Sequence, residues 1–147
     1  AKRNCILVTG GSTGLPYEAA KAARQNGGFT VGVSPAMNAA EHAEKYKMPT
    51  DFDLIIFTGF EKKGRNVIAV RSCDALIFVS GGTGTLNEFT IAYDEGKVCG
   101  VLLDSGGISG VMKELEGKYL SGRKKSGKVI YHSEPEKLVE LVLSELK

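Results

Sequence analysis

This 147-residue chain has no CxxC pair, no apolar run near the roughly 18 residues of a membrane span, and no strong charge of one sign. Cys5, Cys73 and Cys99 are odd in number and widely spaced, and Cys5 and Cys99 sit in apolar runs. That usage excludes a disulfide frame and fits reduced thiols in a cytoplasmic protein. His42 and His132 stand alone, so no metal site is expected. The N-terminus leads into only a short apolar run, too brief for the core of a signal peptide. A net charge of +2 is too small for a nucleic-acid-binding face, so neither nucleic acid nor membrane is an expected partner. The one basic cluster, Arg123–Lys128, is interleaved with Ser and Gly and reads as a solvated loop or as a loop facing phosphate.

What is present is an alternation of short apolar runs with helical patterns. Cys5–Thr9, Phe29–Val33, Leu54–Thr58, Ala75–Ser80, Val98–Leu103 and Val129–Tyr131 are continuous Val/Ile/Leu-rich stretches, as expected of parallel strands covered on both faces. Between them lie helical candidates at Leu15–Gln25, Asn38–Tyr46, Arg65–Cys73, Thr85–Glu95, Val111–Leu120 and Pro135–Leu146. Gly27-Gly28 supplies a stop for the first, and Ser133 a cap before Pro135 for the last. This order predicts one α/β domain over 1–147, a Rossmann-like doubly wound parallel sheet of about six strands with helices on both faces. Ligands of such sheets bind beyond the carboxyl ends of the strands. Two glycine-rich turns fall there.

The second turn, Ser80-Gly-Gly-Thr-Gly-Thr-Leu-Asn-Glu88, follows a strand and opens a helix. Glycines let a ligand approach the backbone, and the N–H groups at a helix start favour an anion. Gly81, Gly82, Thr83, Gly84 and Thr85 are therefore candidate phosphate ligands. A plainer reading also fits: Thr85-Leu-Asn-Glu88 matches a capping box, with Thr85 as N-cap and Glu88 closing the helix end.

The first turn, Gly10-Gly11-Ser12-Thr13-Gly14, resembles a short-chain dehydrogenase turn, but Pro16 replaces its last glycine. The next strand ends Val33-Ser34-Pro35 without the acid that NAD use requires. Tyr17…Lys21 and Tyr93…Lys97 have the Tyr-x-x-x-Lys spacing in the wrong places, and no Gly-Lys-Ser/Thr of a Walker loop occurs. No cofactor is expected.

Arg65 stands 15 residues before Ser80, across one helix and one strand. Its guanidinium suits planar contacts to phosphate or carboxylate. Arg65 followed by Ser80-Gly-Gly-Thr-Gly-Thr-Leu-Asn-Glu88 resembles the Arg plus PGGxGTxxE signature of the LONELY GUY (lysine-decarboxylase-like) superfamily. Gly10-Gly11-x-x-Gly14-Leu15 is similar to that superfamily's earlier glycine turn. The Gly64–Ala75 stretch looks closest to its uncharacterised branch, which resembles molybdenum-cofactor carriers. Ser80 stands in place of the motif proline, Pro16 in place of a methionine, and Gly64-Arg65-Asn66 in place of Glu-Arg-Lys. The strand and helix that normally precede the first glycine turn are not found ahead of Gly10.

The resemblance implies a homodimeric Rossmann-like protein that binds a nucleotide-like small molecule. One branch hydrolyses the N-glycosidic bond of nucleoside 5′-monophosphates, giving free base and ribose 5-phosphate. Another carries its ligand without chemistry. Glu88 and Arg65 are the catalytic residues it implies. The ligand contacts it implies are Gly81, Gly82, Thr83, Gly84 and Thr85, with Gly10, Gly11, Ser12 and Gly14 from the first turn. Asp104–Gly110 reads either as a mobile loop over the site or as a plain flexible connection.

Overall fold

The computed structural model describes residues 1–120 and 127–146, so Arg123–Ser126 of the basic cluster lie outside the described residues. All six expected strands are present, arranged as two three-stranded parallel sheets. They fall in two compact units, Ala1–Ser72 and Cys73–Lys147.

In the first unit the sheet order is β1 (Leu7–Thr9), β2 (Thr30–Ser34), β3 (Leu54–Phe57), with Val8 opposite Val31 and Gly32 opposite Ile55. Every residue of β2 is buried, as its unbroken Thr-Val-Gly-Val-Ser run predicts for a central strand. Helix α1 (Leu15–Gln25) has the expected limits, and Gly27 at φ +73 turns the chain after it. The helix expected over Asn38–Tyr46 is present from Ala39, and its Glu41–Lys45 stretch is a π-type turn. His42 on that turn is fully buried. Its Nδ1 lies 2.8 Å from Ser34 Oγ and its Nε2 2.8 Å from Pro49 O, so both ring nitrogens are satisfied inside the core. Asp53 ties the starts of β2 and β3 together, its Oδ2 accepting from Thr30 N–H (2.8 Å) and Thr30 Oγ1 (2.7 Å). Those two bonds hold the Asp53 carboxyl below its ordinary range. Helix α2 (Glu61–Arg71) begins four residues before the expected Arg65; its N-cap, Phe60, offers no side-chain bond, so nothing in the sequence marks the start.

In the second unit the order is β4 (Ala75–Val79), β5 (Val98–Leu102), β6 (Val129–His132), with Phe78 opposite Val101 and Val101 opposite Tyr131. Helix α3 (Thr83–Asp94) packs on β4 and β5 through buried Phe89, Ala92 and Tyr93; the Phe78 and Phe89 rings meet edge to face at 5.4 Å. Helix α5 (Pro135–Ser144) closes on β5 where Gly100 leaves room. A Cβ there would stand 2.7 Å from Val142 Cγ2. The N-cap of α5 is Glu134 rather than Ser133, and it makes no side-chain cap bond. Helix α4 (Ser109–Leu115) runs on into a π-type turn, Glu116–Leu120. Cys99 is fully buried, and burial pushes its thiol up to about 12, which makes it inert as a nucleophile. Lys128, at the end of the basic cluster, pairs with Glu145 at 2.7 Å.

Candidate functional site

The second glycine turn is built from β4, α3 and the loop that follows β5. Ser80 leaves β4 at φ +53 and Gly81 follows at φ +88. Two successive left-handed residues reverse the chain so that α3 starts immediately beyond the strand. Gly82 is the N-cap, and Thr83, Gly84 and Thr85 form the first turn. Thr85 is thus the third helical residue, not the cap, and no side chain caps this end. The capping-box reading of Thr85 and Glu88 is therefore corrected: both lie inside the helix. The bond from Leu86 N–H to Gly82 O (3.0 Å) precedes any that Thr83, Gly84 or Thr85 N–H could make within the helix. These amides point toward the N-terminal side of α3, where the helix dipole is positive.

The glycines of this turn differ in what they accommodate. A Cβ on Gly81 would run into the Thr85 side chain, 2.6 Å from its Cβ, so Thr85 closes over Gly81. Cβ atoms on Gly82 and Gly84 would meet nothing within 4 Å, and both residues are exposed. Neither has the positive φ that would demand glycine. Glu88 lies one turn further along α3, half-buried, beside fully buried Phe89. Its charge is felt at Cys73, whose thiol is raised mainly by burial, against the pull of Lys97, with Asp74 and Glu88 adding to the rise.

Sequence reasoning gave no role to Ser105, Gly107 and Ser109, yet the structure brings all three to this turn. Ser80 N–H donates to Ser105 Oγ (2.8 Å), and Ile108 N–H donates to Gly81 O (2.9 Å). Gly107 sits so close to Gly81 that a Cβ would stand 2.8 Å from Gly81 N. The Asp104–Gly110 stretch is therefore fastened to the glycine turn, which neither the mobile loop nor the flexible connection of the sequence reading includes. Only the two serines and the double glycine of Asp104-Ser-Gly-Gly-Ile-Ser hinted at it.

The first glycine turn belongs to the other unit and is built differently. Gly11 is buried at φ +65, its N–H 3.2 Å from Thr9 Oγ1, and its missing side chain faces His42 and Gly32. The guanidinium of Arg65 lies against Gly10, where a Cβ would stand 2.7 Å from Arg65 Cζ. Arg65 lies within α2 and is only 8% exposed. Ser12 is half-buried. Gly14, exposed at φ +80, is the N-cap of α1, and Pro16 at the second helical position has no N–H to offer. Among the described residues no group of three or more His, Cys, Asp or Glu side chains could hold a metal ion. No helix there is long and apolar enough to cross a membrane.

Over 97 residues the chain is 38% identical to an uncharacterised protein of Archaeoglobus fulgidus, covering 66% of this chain and 59% of that protein. It is 37% identical, also over 97 residues, to the cytokinin riboside 5′-monophosphate phosphoribohydrolase of Mycobacterium tuberculosis, covering 65% of this chain and 49% of the enzyme. The matched stretch thus spans about half to three fifths of these relatives' length. Among solved structures, the X-ray structure of TM1055 superposes with a TM-score of 0.84 at 23% identity, over 97% of this chain and 80% of that one. The molybdenum cofactor binding protein of the phototrophic bacterium Rippkaea orientalis superposes with a TM-score of 0.78 at 28% identity, over 99% and 80%. The family model of the SLOG cluster4 family matches residues 1–139, and with the α/β Rossmann-like fold and both glycine turns in place, the chain belongs to that LONELY GUY-like family.

Proposed function

We propose that the chain binds the 5′-phosphate of a nucleotide-like small molecule at Gly81–Thr85 and hydrolyses an N-glycosidic bond. The observation that carries this reading is the open space at Gly82 and Gly84. Glycine there serves neither internal packing nor a left-handed turn, which leaves close approach by a ligand as its use. The uncapped start of α3 supplies amides and positive dipole for a phosphate, and Thr83 and Thr85 supply hydroxyls. The phosphoribohydrolase of M. tuberculosis, which names a nucleoside 5′-monophosphate as substrate, supports the reaction class.

In this reaction water adds to C1′ of the ribose, the C1′–N bond breaks, and the departing base takes up a proton. Glu88 orients that water or stabilises the positive charge that develops on the sugar, a role carboxylates fill at anomeric carbons. The chain works in the cytoplasm as a homodimer; its three free cysteines are consistent with a reducing compartment.

A second reading, a carrier that holds its ligand without turnover, is favoured by the likeness to the R. orientalis cofactor-binding protein. A panel of nucleoside 5′-monophosphates, assayed for free base and ribose 5-phosphate, separates the two. The hydrolase reading predicts base release that Glu88→Gln lowers at least a hundredfold while nucleotide affinity stays within about threefold. Binding without base release in the wild type would replace it with the carrier reading.

A further inference from the structure

Ser80 occupies a conformation closed to the proline of the family motif. Its φ is +53, whereas a proline ring fixes φ near −65°. Its N–H donates to Ser105 Oγ at 2.8 Å, and proline has no N–H to donate. Its neighbours must hold this residue left-handed, a conformation that costs a non-glycine residue. The Ser105 hydroxyl is placed to do it. Besides accepting from Ser80, it lies 2.7 Å from Leu102 O and 2.9 Å from Ser109 Oγ, which lies 2.6 Å from Gly106 O; with one proton on each hydroxyl, two of these three contacts are hydrogen bonds at a time. Ser105 and Ser109 thus form a hydroxyl cluster between the end of β5 and the start of α4. Gly107 and Ile108 complete the clasp on the Gly81 peptide.

We infer that Ser105 is a positioning residue for phosphate recognition. Its hydroxyl fixes the Ser80–Gly81 peptides and through them the direction of the Gly82–Thr85 amides. The β5–α4 loop thereby holds the turn in a conformation that the motif's proline could not adopt. This inference rests on the phosphate reading of the turn.

The test is calorimetric titration of adenosine 5′-monophosphate, and of inorganic phosphate, into the wild type, Ser105→Ala and Ser105→Thr, well below each protein's Tm. Ser105→Ala should weaken nucleotide binding at least tenfold, with Ser105→Thr recovering most of the loss. Unchanged affinity in Ser105→Ala with only a lower Tm would overturn the inference and leave a purely structural clasp. Hydrogen exchange of the wild type gives a second readout that no variant's folding can spoil. The Ser80 and Ile108 amides should be protected, and more so with nucleotide bound; ligand-bound protein showing no added protection at either amide would also overturn it. If the wild type binds neither adenosine monophosphate nor phosphate, the phosphate reading itself falls, and this inference with it.

Discussion

The two glycine turns look alike in the sequence and are opposite in the structure. In the first, two glycines make room for the protein's own groups, Gly10 for the Arg65 guanidinium and Gly11 for His42 and Gly32, while Gly14 has the positive φ that favours glycine. In the second, Gly82 and Gly84 make room for nothing the chain itself supplies. The helices they open differ too. Pro16 removes a donor from the first turn of α1, whereas α3 begins with three consecutive N–H groups and no side-chain cap. A glycine-rich βα turn is thus ambiguous as a motif. What lies where its side chains would be decides whether packing or a ligand explains it.

The sharpest way to break this contrast is to add one methyl group to each turn. Gly10→Ala must displace a buried guanidinium, and overpacking of that kind costs about 1–3 kcal/mol. A chemical denaturation curve should show that loss, and an unchanged midpoint would mean that Arg65 does not rest on Gly10. Gly84→Ala should do the reverse. Stability should hold or rise by up to about 1 kcal/mol, since alanine favours a helix over glycine. Affinity for adenosine monophosphate should fall at least tenfold, because the methyl occupies the path of the phosphate. A destabilised Gly84→Ala would mean that the protein itself fills that space.

The smallest effect expected is one of pH, confined to the first unit. The folded state holds the Asp53 carboxyl below its unfolded value, so its contribution is present above the unfolded pKa and is lost as pH falls through the folded one. Acid should therefore destabilise the wild type more than Asp53→Asn between about pH 4 and the lower folded value. Equal acid sensitivity of the two would remove Asp53 from the account.

Strands were the legible part of the fold, because they leave short runs rich in Val, Ile and Leu, as Leu54–Phe57 and Ala75–Val79 do, although of the six only β2 is buried throughout. Helix starts were harder to read where no side chain marks them. Helix α2 begins at Glu61, behind an uncapped Phe60, and α3 begins at Thr83 because Gly82 caps it by backbone alone. Thr85 and Glu88 have capping-box spacing, but two left-handed residues before them start the helix early. The glycines and Glu88 could be named from the sequence, since their spacing is local. Ser105, 25 residues from Ser80, could not, because its partnership exists only once β4 and β5 pair. The packing of Arg65 on Gly10 was hidden for the same reason.

The most direct test of the account is a backbone NMR titration of adenosine 5′-monophosphate against adenosine. The Gly82, Thr83, Gly84 and Thr85 amides should shift with the nucleotide and not with the nucleoside. If the nucleotide binds and those four amides stay still, the phosphate lies elsewhere and the central claim is wrong.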